Sequence, residues 1–184
     1  MTSVRVWGPG VGAVVVLVAT GAWARGSAGT GVDAELWADV RPAIEARLVA
    51  QAEGDGYGES EPALGARWFC EAEALELRED DGRVRAGVDT FCVRYGVRDG
   101  VLQECGGAHH PQVVRLERDD ENGGGYHVVS QEEPPDGAGY ASWEEDHFGV
   151  FAENRLDGSA DPAALESEAR AHFGLPTGAP VGDC

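Results

Sequence analysis

Three dipeptides, Asp81-Gly82, Asp99-Gly100 and Asn122-Gly123, constrain this chain more than any other feature. Both residues of each tolerate positive φ, which suits a tight hairpin turn. Each stands between segments rich in Val, Phe, Tyr and Leu. The spacing predicts four antiparallel strands, over 67–78, 83–96, 101–118 and 125–132. The third must absorb Gly106-Gly107-Ala108-His109-His110-Pro111, which needs a bulge or a short loop. In the first, Glu71–Leu77 has helical composition, and its place before a hairpin turn assigns it to the sheet.

Helical patterns flank the strands. Asp33 can cap a helix in which Leu36, Val40, Ile44 and Leu48 recur every four residues as one apolar stripe. Pro42 either sits in the first turn of a shorter helix capped by Asp39 or kinks the longer one. After the fourth strand, Pro134 and Pro135 offer no N–H for pairing, and Asp136-Gly137 reverses the chain. Tyr140 and Phe148 can then tuck under the sheet edge. Ser142-x-x-Glu145 fits a capping box. Asp161-Pro162 opens a second helix over 163–173, and the tail to Cys184 is expected to be loose. The fold class is therefore α+β. Residues 33–150 form one N-terminal helix packed on a curved four-stranded antiparallel meander, with short C-terminal helices, and 151–184 supply the last helix and the tail.

Between Arg5 and Arg25 no residue is charged, and Val14-Val15-Val16-Leu17-Val18 is the apolar centre. Ala22-x-Ala24 is the small-x-small pattern that a signal peptidase cuts after. Residues 1–24 read as a signal peptide, or alternatively as an uncleaved single-span membrane anchor whose Arg5 stays on the inner side. Residues 25–32, rich in Gly, Ser and Ala, read as a flexible linker. Either case places the remainder outside the cytoplasmic membrane, secreted or anchored at its outer face. Fourteen basic residues, all arginine, face 33 acidic ones for a net charge of −19. That excess excludes non-specific nucleic-acid binding, which needs cations to replace phosphate counterions, and docking on anionic lipid.

Four cysteines, Cys70, Cys92, Cys105 and Cys184, favour disulfides in an exported chain. A three-residue loop Asp80–Gly82 sets Cys70 opposite Cys92, whereas a two-residue loop sets Val93 there. A four-residue loop Val97–Gly100 instead sets Cys92 opposite Cys105. Of the three connectivities, Cys70–Cys92 with Cys105–Cys184 is preferred.

The search for chemistry assigns no catalytic, cofactor-binding or metal-ligating residue. His109-His110-Pro111 reads as surface loop, with a metal or ligand contact at the strand break as the alternative. His127 falls mid-strand. Asp146-His147 could form a carboxylate–imidazole pair, but no serine or cysteine nucleophile stands near it. Asp119–Gly123 resembles a fragment of a calcium loop, yet Ser130 stands where a bidentate glutamate is needed; a solvated hairpin tip is the simpler reading. Trp68, Phe91, Tyr95, Tyr126, Tyr140 and Trp143 are the aromatics able to line a pocket between helix and sheet.

Taken together, Arg67-Trp68-Phe69-Cys70, Phe91-Cys92-Val93-Arg94-Tyr95, Val113-Val114-Arg115-Leu116, Tyr126-His127-Val128-Val129 and Glu133-Pro134-Pro135-Asp136-Gly137-x-x-Tyr140 resemble an uncharacterised family of small exported bacterial domains. The resemblance spans 67–149 and implies a layout similar to cystatin-like and nuclear-transport-factor-like α+β folds. It implies a cysteine pair at Cys70 and Cys92, and no activity or catalytic residue. The expected function is that of an exported, non-enzymatic domain binding a protein or cell-envelope partner without a cofactor. The alternatives are a small-ligand pocket or, further off, a pocket enzyme.

Overall fold

The computed structural model describes residues 32–54, 64–119, 124–149 and 161–184. The segment holding Ala22 and Ala24, nearly all of the 25–32 linker, and the Asn122-Gly123 turn lie outside the described residues.

Helix α1 spans Ala34–Gly54. Asp33 caps it, its Oδ1 accepting the N–H groups of Glu35 and Leu36 at 3.0 Å each. Pro42 lies inside this helix, so the longer of the two alternatives is the one formed, and Val40, Ile44 and Leu48 are its buried residues.

Strands β1 (Arg67–Asp80), β2 (Arg83–Arg98), β3 (Val101–Asp119) and β4 (Gly125–Glu132) form an antiparallel meander in that order. A fifth strand, β5 (Val181–Asp183), pairs parallel with β3, setting Leu102 opposite Val181. The sheet is therefore mixed and five-stranded rather than a purely antiparallel four-stranded meander, and the tail is not loose. Backbone hydrogen bonds hold it: Leu102 N–H donates to the Pro180 carbonyl and Cys184 N–H to the Glu104 carbonyl, each at 3.0 Å.

The turns are tighter than a three-residue loop. Asp80 pairs with Arg83 and Arg98 with Val101. The central residues all take positive φ: 47° and 76° at Asp81 and Gly82, 53° and 76° at Asp99 and Gly100. This is the geometry whose twist matches the flanking strands. A two-residue turn alone would set Val93 against Cys70. One extra residue in β1, Leu75, lies between the Ala74↔Val88 and Glu76↔Gly87 pairs and returns Cys70 to Cys92. The four-residue alternative at 97–100 does not form, and Cys92 faces Ala108. A second bulge sets Cys105 and Gly106 against Arg94, between the Val93↔Gly107 and Tyr95↔Glu104 pairs. Gly106 carries it at φ 117°. The His109-His110-Pro111 run is thus strand, not loop.

Alternation along the strands supplies two apolar faces. On one, α1 packs Val40, Ile44 and Leu48 against Cys70, Ala72, Val84, Ala86, Val88, Val114 and Leu116. The other is covered by two later helices. Helix α2 (Tyr140–His147), entered through a 3₁₀ turn at Gly137–Gly139, brings Trp143 against Leu75, Val113 and Phe148. Helix α3 (Ala163–His172) packs Leu165 and Ala169 on Phe69, Val93, Tyr95 and Leu102. At its start Asp161 Oδ1 accepts the Ala163 N–H at 3.0 Å. The capping box is not formed. Ser142 lies inside α2, because the 3₁₀ turn starts the coil early, and its hydroxyl donates to the Gly139 carbonyl at 3.0 Å.

Candidate functional site

Strand β3 is longer than the strands beside it. On its outer edge β4 ends at Glu132, opposite Val113, and β5 covers only Leu102–Glu104. Among the described strands, Cys105–Gln112 is therefore paired on the β2 side alone. A cleft of about 420 Å³ opens along this stretch. Gly107, Ala108, His109 and His110 form one wall, four consecutive residues, so the wall includes the strand backbone itself. Leu48, Gln51 and Ala52, from the last turns of α1, form the roof. Trp68, Thr90 and Cys92 form the floor, and Glu133, Pro134, Asp136 and Tyr140 the far wall. The closing segment reaches this place because its prolines end β4 and Gly137, at φ 75°, turns the chain.

The polar groups of the cleft are linked to one another. Gln112, only 2% exposed, donates through Nε2 to Glu133 Oε1 at 3.3 Å and lies 2.9 Å from His110 Nε2. Gln51 Nε2 donates to the same Glu133 oxygen at 2.5 Å. Gln131 Nε2 donates to Gln112 Oε1. The Thr90 hydroxyl donates to the His110 carbonyl at 2.7 Å. Gln51 Oε1 and Gln131 Oε1 are buried and find no donor among the described residues. In the β3 wall, His109 Nε2 sits 2.8 Å from Asp89 Oδ2. Burial pushes the Tyr140 phenol up to about 12, helped by the Glu144 charge and hydrogen bond and by Asp89.

Of the six aromatics singled out from the sequence, Trp68 and Tyr140 line the cleft. The other four serve elsewhere. Phe91 packs edge-on to His109 at 5.7 Å. Tyr95 is fully buried under α3, where desolvation and the charges of Glu104 and Glu166 push its phenol up. Tyr126 lies under α1 and donates to Glu79 Oε1 at 3.1 Å. Trp143 belongs to the α2 core. Asp146 is not the partner of His147. That ring stacks on Trp143 at 4.3 Å and places Nε2 2.9 Å from Glu132 Oε1. Burial alone would push Glu132 up, but His147, the Trp143 indole N–H and Arg115 together hold its carboxyl below the ordinary range.

Both preferred cysteine pairs are at disulfide distance, Cys70 with Cys92 and Cys105 with Cys184. Cys92 also floors the cleft, so the first bridge fixes that floor to β1. The second pins β5 and the chain end beside the bulge at Cys105. Such pairs belong to an oxidising, extracytoplasmic environment. No helix among the described residues is long and apolar enough to cross a membrane.

Sequence reasoning missed Gln51, Gln112, Glu133 and Thr90. The available signal was Gln112, an uncharged polar residue facing inward between Pro111 and Val113-Val114. A buried amide of this kind must be hydrogen-bonded, and its partners mark a polar site.

No known protein family, curated protein or solved structure matches the chain.

Proposed function

We propose that this chain is an exported, non-enzymatic domain that binds a protein or cell-envelope partner in the cleft along β3. The observation that carries the reading is the β3 stretch Cys105–Gln112, which among the described residues has no strand neighbour on its cleft side. A strand with open backbone groups beside a pocket is how many domains take an extended segment of a partner. The side chains support binding rather than catalysis. The Thr90 hydroxyl is spent on a backbone carbonyl, and His110 meets a glutamine amide, so neither is set up as nucleophile and base. Cysteine pairing supports export, and the apolar segment before Ala24 supplies the means, as signal peptide or as anchor.

The volume of the cleft, about 420 Å³, favours a second reading, a small-ligand pocket between Trp68 and Tyr140. One experiment separates the two. Amide exchange across β3 is followed by mass spectrometry while the oxidised chain is mixed with envelope extract of its host, split by mass. Protection at 105–112 by the high-mass fraction alone supports the protein-partner reading. Protection by the low-mass filtrate transfers the site to a small ligand, and no protection from either fraction overturns both.

A further inference from the structure

Resting on the binding reading above, we infer that the occupant of this cleft is an extended polypeptide segment bearing a basic side chain, laid along β3 as an added strand. Three observations converge. First, the open wall is bare. A Cβ built at Gly106 meets nothing within 4 Å and Ala108 carries only a methyl, so a second backbone can approach; Gly107 is bare because its Cβ would stand 2.8 Å from the Cys92 carbonyl of β2. A bulge at one end and Pro111 at the other confine pairing to the few residues between, which also guards against unlimited edge-to-edge association. Second, among the described residues the buried side-chain atoms left unpartnered in and behind the cleft are both acceptors. The amide nitrogens of Gln51, Gln112 and Gln131 are engaged, whereas Gln51 Oε1 and Gln131 Oε1 are buried without a donor. Buried acceptors of this kind are costly until a donor arrives. Third, the charge is one-sided. Glu133 and Asp136 stand in the far wall, and among the described residues no arginine lines the cleft, while its two histidines already face carboxylates, His109 with Asp89 and His110 with Glu133. An arginine or lysine side chain brings donors and positive charge together. Apolar side chains on the same segment would meet Leu48, Ala52 and Trp68.

The test uses the full-length oxidised chain at physiological salt and three blocked pentapeptides: Val-Arg-Val-Arg-Val, its Glu twin, and the Arg peptide N-methylated at alternate amides. Binding is followed by Trp fluorescence and calorimetry. The Arg peptide should bind at least tenfold tighter than the Glu peptide. The N-methylated peptide should lose at least tenfold, because it cannot pair with β3. Glu133→Gln should erase most of the Arg preference, while Glu168→Gln, an exposed carboxylate on α3, should leave it intact. Equal loss with both variants would mean diffuse attraction to an acidic protein and would overturn the inference. So would equal binding of Arg and Glu peptides, or indifference to N-methylation. Exchange protection at 105–112 by the envelope fraction would survive any of those results, so failure here is distinguishable from failure of the binding reading.

Discussion

Gly87 has no room for a methyl group. A Cβ built there stands 2.6 Å from Phe148 Cε1 and 2.8 Å from Glu76 Cγ. Phe148 is 4% exposed and packs on Trp143 at 5.6 Å. Phe148→Ala should therefore cost about 3–5 kcal/mol in urea unfolding. Gly87→Ala should also destabilise, and much of its penalty should vanish in the Phe148→Ala background, where the ring no longer blocks the methyl. Additive losses would mean that the ring is not what excludes it. Two carboxylates should act with opposite signs. Burial pushes Glu71 up; Arg41 opposes this, while Glu45, Asp161 and Glu73 reinforce it. A raised folded-state value means that stability present below the unfolded value is lost as pH rises through the folded one. Glu71→Gln should thus raise Tm at pH 7, with the gain fading in acid. Glu132 is held low, so its contribution is present above the unfolded value and lost as pH falls through the folded one. Glu132→Gln should lower Tm at pH 7 and make little difference in acid. Thermal melts of both variants across pH check the signs. Phe148 was legible from its place after a Pro-Pro-Asp-Gly stop, whereas Gln51, Gln112 and Glu133 were not. Their meeting depends on which faces of α1, β3 and the closing segment converge, and no local spacing encodes that.

Strands β1 to β4 were legible from turn chemistry and start where the sequence puts them. Registers were not, because three bulges intervene. Leu75, the Cys105-Gly106 pair and Val129 each add a residue on one side of a ladder. One residue of slip exchanges the faces of a strand, and only Gly106-Gly107 announces its bulge by composition. Strand β5 was illegible because three residues after Gly178-Ala179-Pro180 carry no periodic pattern. Its placement depends on β3 and on Cys105. The Cys105–Cys184 bridge closes a separation of 79 residues, for which chain entropy gives about 4.5 kcal/mol. Cys184→Ser should lower stability by about that amount and expose the Leu102 N–H to exchange, leaving β1–β2 protection unchanged. Slow exchange at Leu102 in the variant would show that β5 holds without its bridge.

At the scale of the whole molecule, an acidic chain with paired cysteines and an apolar segment before Ala24 fits the export proposed above. A net charge of −19 favours solubility of a small domain. Two bridges compensate for the modest core a domain of this size can build, and they form only where thiols oxidise. On the proposed binding reading, the same charge should draw cations toward Glu133 and Asp136. The export reading rests on Ala22-x-Ala24 and is decided by mass. Expressed in its own host, the chain should be recovered outside the cytoplasm with a mass equal to residues 25–184 less four hydrogens. Loss of residues 1–24 establishes cleavage, and the missing hydrogens establish both disulfides. A full-length mass confined to membranes would make the leader an anchor and would place the cleft, with its partner, at the cell surface. A full-length, fully reduced chain in the cytoplasm would remove the oxidising environment on which both the bridges and the proposed envelope partner depend.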